Sequence, residues 1–307
     1  MAAPFPSPTK TWHTTSYESI SPTRPGLSAK GKTVVITGGG TGIGAETARC
    51  FAAAGASRIA LLGRREQPLL DTKASIEQKF ANIEVFAAST DVTKKGEVDA
   101  AFARFSGDKK IDVLVSNAAL IGPHEPLADA DGEKFVDAIQ LNLRGTVFVA
   151  QAFLRHASTN AVVIDVNSSA AHLNFAAVFA SYSVAKWAVF RAWDTVAYAN
   201  PELSIYHIQP GIVDTDMNKE AGGVAAAGFE DHVSLPASFN VWLSSPEARF
   251  LKGKFLWTNW DVDELKAQAK EIEAGTQLSL GLVGWPFQDT NWTQKPMNFQ
   301  PAAGGSA

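Results

Sequence analysis

Short apolar runs alternate with longer amphipathic stretches from residue 31 onward. TVVIT (33–37) is a β-branched run of the length of a buried strand. A glycine-rich turn separates it from an alanine-rich stretch that reads as a helix to about Ala54. The alternation then repeats. RIALL (58–62), IEVFAA (83–88), IDVLV (111–115), AVVIDV (161–166) and LSIYHI (203–208) read as the following strands. Helical patterns fill roughly 66–80, 94–106, 132–156 and 178–199 between them. Continuously apolar strands bury both faces, so the pattern predicts helices on either side of a parallel sheet with right-handed crossovers. The expected fold class is α/β: a doubly wound, Rossmann-like parallel sheet in three layers, in a single domain. Ligands of such a sheet bind at the carboxyl ends of the strands.

The flanks read differently. Residues 1–30 hold Pro4, Pro6, Pro8, Pro22 and Pro25 and little apolar periodicity, which predicts an extended arm, partly disordered or laid over the surface. The domain is expected over 31–285, with 286–307 as a loose C-terminal tail.

Composition narrows the classes of partner. Hydrophobic residues make up 46% and charged residues 19%, enough for a sizeable core. A net charge of −4 without a basic block argues against nucleic acid. No apolar run approaches the ~20 residues that span a bilayer, so no membrane association is expected. Cys50 stands alone, which rules out an intrachain disulfide; with no signal-like N-terminus it points to a reducing, cytoplasmic compartment. The six histidines show no metal-ligand spacing, so no metal is expected.

TGGGTGIG (37–44) lies between the first strand and its helix. Glycines there permit a tight turn and close approach of a pyrophosphate, while the helix N-terminus offers free N–H groups and partial positive charge. Strand, turn and helix in that order are the context a nucleotide site requires.

Here the sequence resembles the short-chain dehydrogenase/reductase family, its single-domain branch with TGxxxGxG and YxxxK motifs. Thr37, Gly38, Gly42 and Gly44 fit the glycine signature, with Thr41 and Ile43 inside it, and the resemblance runs from about residue 31 to 256. About twenty positions beyond the glycines, an acidic residue bonds the ribose 2′-hydroxyl of NAD. Arg64 stands there in LLGRRE, and Gly63 occupies the aspartate position. A guanidinium fork suits a 2′-phosphate, so NADP (NADPH) is the expected cofactor, with NAD possible. Relatives that use NADP often carry a basic residue within the glycine segment, and here that residue is Thr41. Asp91 and Val92, in STDVT, resemble the family's adenine contacts; a turn-capping role for Asp91 is the alternative. Asn117 matches the family's NAG, with Ala119 in place of the glycine.

Tyr182 and Lys186 fit YxxxK, and four positions on a helix share one face. Ser169 stands thirteen positions before the tyrosine, at the end of the fifth strand, and Asn142 matches the fourth member of the family's tetrad. An ammonium ~4 Å from a phenol favours the phenolate by roughly 4 kcal/mol at an effective dielectric of ~20, although desolvation opposes it. The resemblance implies that Ser169 holds the substrate oxygen, Tyr182 exchanges its proton and Lys186 tunes the tyrosine and bonds the nicotinamide ribose. It also implies that Asn142 holds a water. PGIVDTDM (210–217) matches PGxVxTxM, which implies nicotinamide contacts from Pro210, Gly211, the Ile212 backbone and the Thr215 hydroxyl.

Residues 217–240 stand where the family has a mobile lid, and their small apolar character implies a largely apolar small-molecule substrate. His172 is a candidate for the pocket wall, or a solvated loop histidine. The 178–199 helix is apolar nearly all round, so it faces the sheet and a second cover. That cover is the partner in a homodimer or homotetramer, as in relatives, or the N-terminal arm. Trp257 and Trp260 replace the family's Asp-Gly-Gly ending, either as core or at the pocket rim.

The expected activity is that of an NADP-dependent oxidoreductase on a carbonyl/alcohol pair, a ketoreductase. The alternatives are an isomerase, dehydratase or cyclase on the same fold, and a nucleotide-sensing protein without catalysis.

Overall fold

The computed structural model describes residues 3–174 and 176–282. Its centre is a seven-stranded parallel sheet with strand order β3-β2-β1-β4-β5-β6-β7. The strands are β1 (Thr33–Thr37), β2 (Arg58–Gly63), β3 (Glu84–Ser89), β4 (Ile111–Ser116), β5 (Ala157–Val166), β6 (Ser204–Gln209) and β7 (Phe255–Trp257). The order reverses between β1 and β4, so the nucleotide crevice of a doubly wound sheet falls at their carboxyl ends. β5 starts earlier than the apolar run suggested, and its pairing with β4 shifts register between Ile111 and Val113. β7, the short strand within the tryptophan-rich region, pairs with β6 from His207 to Gln209.

The crossovers are α1 (Gly42–Ala53), α2 (Glu66–Lys79), α3 (Lys95–Ser106), α4 (Gly132–His156) and α5 (Ala180–Ala199). Asp131 starts α4 by accepting the N–H groups of Glu133 and Lys134. After β6 come α6 (Asp216–Glu220), α7 (Gly223–Ala227) and α8 (Ser234–Leu243). After β7 come two short helices, α9 (Val262–Ala267) and α10 (Ala269–Ala274).

Side chains alternate across a strand, and the core divides accordingly. Val34 and Ile36 of β1 join Phe51, Phe239 and Trp242 on one face, where α8 packs along α1. Val35 joins Phe102, Phe153, Val189 and Trp193 on the other, beneath α3, α4 and α5.

The N-terminal arm is an integral part of the first core. Trp12, Ile20 and Leu27 are buried in it. Trp12 forms an antiparallel bridge to Trp260, and the amides of Lys10 and Thr11 donate to the Glu264 carboxylate. Arg24 forms a bidentate pair with Glu247, both bonds at 2.8 Å. The arm thus covers the β7–α9 end of the molecule and not the outer face of α5. That face stays open, with Val184, Trp187 and Tyr198 exposed beside Val136, Val147 and Leu154 of α4.

The segment expected as a lid, 217–240, divides in two. α6 and α7 contain no buried residue, whereas every residue of α8 from Leu235 to Leu243 is buried. The half from 234 onward is core, because its run LPASFNVWL is apolar on every side and packs on α1. The tail expected at 286–307 lies outside the described residues. Among the described residues no helix is long and apolar enough to cross a membrane, and no cluster of His, Cys, Asp and Glu could hold a metal ion.

Candidate active site

The glycine turn is built around close backbone contacts. A Cβ on Gly44 would stand 2.2 Å from the Gly38 carbonyl oxygen, so only glycine lets α1 start directly against the turn. Asn117, at the end of β4, donates its side-chain amide to the Thr37 carbonyl at 3.0 Å. Thr37 in turn receives the amides of Asn117 and Ala118 on its hydroxyl. β1 and β4 are thereby locked together at the strand ends that flank the crevice. The amides of Gly42, Ile43 and Gly44 open α1 and have no acceptor within the helix. Thr41 is the exposed N-cap, with no side-chain cap bond. Such a cradle of free N–H groups fits a pyrophosphate.

Beside the turn, Gly38, Gly40, Thr41, Gly63, Arg64, Arg65, Pro68 and Leu69 line a cavity of about 100 Å³. β2 ends at Gly63 with no acidic side chain in the wall, and two arginines follow. Arg65 pairs with Asp216 at 3.1 Å on the surface. Among the described residues Arg64 makes no salt bridge; its guanidinium is exposed and within electrostatic reach of the Asp91 carboxylate. Asp91 uses Oδ1 to accept the amide and hydroxyl of Thr93, at 2.9 and 2.7 Å, which is the turn-capping arrangement. Its Oδ2 has no hydrogen-bond partner among the described residues. Val92 packs beside Gly145 of α4.

The sheet and α5 bring the next group together. Lys186 is only 4% exposed, and its Nζ donates to the Val166 carbonyl at 2.8 Å, at the very end of β5. In return, Asn167 donates to the Lys186 carbonyl at 3.2 Å. The Lys186 Nζ stands 5.7 Å from the centre of the Tyr182 ring. Ser169 opens a 3-10 turn (Ser169–Ala171), and the Gln209 side chain of β6 accepts its amide at 2.7 Å. Ser168 caps that same turn by accepting the Ala170 amide, so it has a structural task that Ser169 lacks. The Ser169 hydroxyl and the Tyr182 phenol have no hydrogen-bond partner among the described residues.

Beneath this group lies a buried pair that the motifs did not signal. Asp165 accepts Asn167 at 2.7 Å and meets the His207 imidazole at 3.0 Å, both partners of that pair being 1% exposed. Only the register of β5 with β6, Asp165 against His207, brings them together.

The side chain of Asn142 is engaged: its N–H bonds go to the carbonyls of Leu120 and Ala138, at 3.0 and 2.8 Å, and its oxygen accepts the Leu120 amide. It fixes the loop after β4. The Ile212 backbone is engaged too: its N–H donates to Asp231 Oδ2 and its carbonyl accepts the Asp231 amide, both at 2.8 Å. The next residue, Val213, has neither backbone group engaged among the described residues, so the open backbone after Pro210 and Gly211 belongs to Val213. Thr215 caps α6 through its hydroxyl, which accepts the Asn218 amide, and its methyl group faces Gly42 across the crevice.

A second cavity, of about 250 Å³, opens next to the Ser169 turn. Phe5, His172, Leu173, Phe255, Trp257 and Leu278 are in its wall. His172 accepts the Trp257 indole N–H at 3.1 Å, so its Nε2 is unprotonated and Nδ1 carries the hydrogen of the neutral ring. Burial of that edge pushes the imidazole below its ordinary pKa. Trp257 and Trp260 are both buried and stack at 6.4 Å, and both serve the core and the wall of this cavity.

A family model described as short chain dehydrogenase matches residues 32–223. The chain is 33% identical over 284 residues to a "Short chain dehydrogenase/reductase" of Claviceps purpurea, covering 91% of this chain and 95% of that one. It is 32% identical over 293 residues to "Short chain dehydrogenase mpl6" of Monascus purpureus, covering 92% and 100%. Among solved structures, a short chain dehydrogenase from Burkholderia cenocepacia in complex with NADP superposes with a TM-score of 0.69 at 24% identity, over 76% of this chain and 99% of that one. A putative short chain dehydrogenase from Pseudomonas syringae gives 0.69 at 25% identity, over 76% and 97%.

Proposed function

The chain belongs to the short-chain dehydrogenase/reductase family of oxidoreductases, and on that premise we propose that it is an NADP-dependent ketoreductase with Tyr182 as the proton-transfer group. The observation that carries this reading is the placement of Lys186. Its buried ammonium lies close to the Tyr182 ring and is tied to the end of the strand that leads into Ser169. Taking an ammonium out of water without a carboxylate is costly, and its field falls on the one phenol beside it.

In this mechanism the Ser169 hydroxyl holds the substrate oxygen, and the Tyr182 phenol gives that oxygen a proton on reduction or takes one on oxidation. The nicotinamide, when bound, supplies or accepts the hydride. Lys186 holds positive charge under the phenol and can reach the nicotinamide ribose. Asn142 keeps the loop after β4 in place. The α1 N-terminus, with Gly38, Thr41, Gly42, Ile43 and Gly44, cradles the pyrophosphate. Asn117 and Thr37 fix that wall; Asp91 Oδ2 and Val92 take the adenine. Pro210, Gly211, Val213 and Thr215 form the nicotinamide side. The Arg64 guanidinium, exposed beside a glycine where an acid would bond a 2′-hydroxyl, supports NADP over NAD.

The small apolar residues of α7, none of them buried, support a largely apolar substrate; the larger cavity, lined by none of Ser169, Tyr182 and Lys186, carries no weight in that reading. The exposed apolar face of α4 and α5 supports a homodimer built through those helices. The site is compatible with a cytoplasmic enzyme of this family.

The experiment is a panel of apolar ketones and their alcohols incubated with NADPH, NADP, NADH and NAD, followed by nicotinamide absorbance. The reading predicts turnover with stoichiometric change in the nicotinamide, faster with the phosphorylated cofactors. Substrate conversion without net nicotinamide change would assign the site to an isomerase, dehydratase or cyclase. Nucleotide binding without any turnover would leave a sensing protein.

A further inference from the structure

We infer that Asp231 is a positioning residue for the nicotinamide side of the site, and that it links the N-terminal arm to that task. The inference rests on the nucleotide-binding reading above.

Asp231 lies between α7 and α8 and is 1% exposed. It forms no ion pair among the described residues. Its carboxylate instead meets two neutral donors. Oδ2 accepts the Ile212 amide at 2.8 Å, and Oδ1 accepts the Asn259 side-chain amide at 2.8 Å. Its own N–H closes a ring by donating to the Ile212 carbonyl at 2.8 Å. A buried carboxylate without a cation weakens a fold, so its retention calls for a task.

The task is visible in what it holds. Gly211 has φ +90°, and a Cβ there would stand 2.6 Å from Asp231 Oδ2. The chain leaving β6 is therefore bent over Asp231, and both polar groups of Ile212 turn inward to it, the N–H to the carboxylate and the carbonyl to the Asp231 amide. Val213 is left as the next residue with open backbone groups. Asp231 thus determines which peptide of this turn faces the crevice.

The same carboxylate reaches the arm. The Asn259 amide that bonds Oδ1 also donates to the His13 carbonyl at 2.8 Å, and the His13 amide donates to the Asn259 carbonyl at 2.8 Å. His13 is fixed further by Asp261 at 2.8 Å and by stacking on Tyr17 with ring centres 3.5 Å apart. The chain Ile212–Asp231–Asn259–His13 runs from the nicotinamide turn to the arm. Only Ile212 lies within the family-model match of residues 32–223; Asp231, Asn259 and His13 lie outside it.

Both Asp231 oxygens face donors. An asparagine here would turn its NH₂ onto Ile212 or Asn259, and a flipped Asn259 would set its oxygen against that of His13. Every arrangement of Asp231→Asn loses a link.

The test is calorimetric binding of NADPH and of 2′,5′-ADP, which lacks the nicotinamide half. For Asp231→Asn, NADPH affinity is expected to fall about tenfold while 2′,5′-ADP stays within about twofold of wild type. Asn259→Ala keeps the Ile212 bond and the His13 amide's bond to the Asn259 carbonyl, and removes only the side-chain bonds to Asp231 Oδ1 and the His13 carbonyl, so a smaller loss of about threefold, again confined to NADPH, is expected. If Asp231→Asn does not fold, Asn259→Ala decides by the same comparison. Unchanged NADPH affinity, or equal losses for both ligands, overturns the inference while the nucleotide reading stands. Wild-type protein that binds neither ligand overturns that reading and this inference with it.

Discussion

In the proposed mechanism the chemistry turns on Lys186. Its ammonium is buried and has a carbonyl, Val166, as its hydrogen-bond partner in place of a carboxylate. Lysine at a core position gains little from packing and pays desolvation in full, so its presence four positions from Tyr182 is best explained by the phenol it serves. That pair was legible in the sequence from spacing alone, as were Ser169, the glycine turn and Arg64, because each lies in a segment whose local geometry is fixed by its own strand or helix. Asn142 and Ile212 are legible as positions, whereas the bonds their polar groups make are not. Whether a backbone N–H is open depends on what folds against it, and the group that occupies Ile212 is a side chain nineteen positions away. No local pattern announces Asp231, nor the Asp165–His207 pair that the β5–β6 register brings together.

At the scale of elements, periodicity gave the strands and long helices because their apolar positions repeat within one segment. The arm was read as loose, since its apolar residues have no period. They find partners far along the chain: Trp12 meets Trp257 with ring centres 6.0 Å apart and bridges to Trp260. Prolines set the arm's extended course without preventing it from joining the core. Trp12→Ala is expected to destabilise the protein by about 3–5 kcal/mol, the usual range for removing a buried tryptophan. Urea unfolding would show this as a lower midpoint at unchanged slope. An arm merely laid on the surface would leave the midpoint where it was. The supposed lid illustrates the reverse case. Its second half is apolar because it is core, as the burial of Phe239 and Trp242 makes plain. Only α6 and α7, capped by Thr215 and tied to the end of β2 through Arg65 and Asp216, are left of that segment outside the core.

For the whole molecule, the switch in strand order at β1 and β4 gathers the glycine turn, Asn117, Ser169 and the Val213 turn along one rim of the sheet. α5 then brings Tyr182 and Lys186 to that rim. The outer surfaces of α4 and α5 remain apolar, with Trp187 and Tyr198 at the centre of the exposed set. We expect light scattering to report a dimer in solution, and Val184→Asp combined with Trp187→Asp to give a monomer; a wild-type monomer would contradict that assembly. The central claim is that Tyr182 transfers the proton beside a bound nicotinamide, and the most direct measurement is turnover and NADPH binding of Tyr182→Phe, which removes only the hydroxyl. The account predicts a fall in kcat of at least about a hundredfold, as expected for loss of a general acid–base group, with NADPH affinity close to wild type. Turnover within a few-fold of wild type would contradict it.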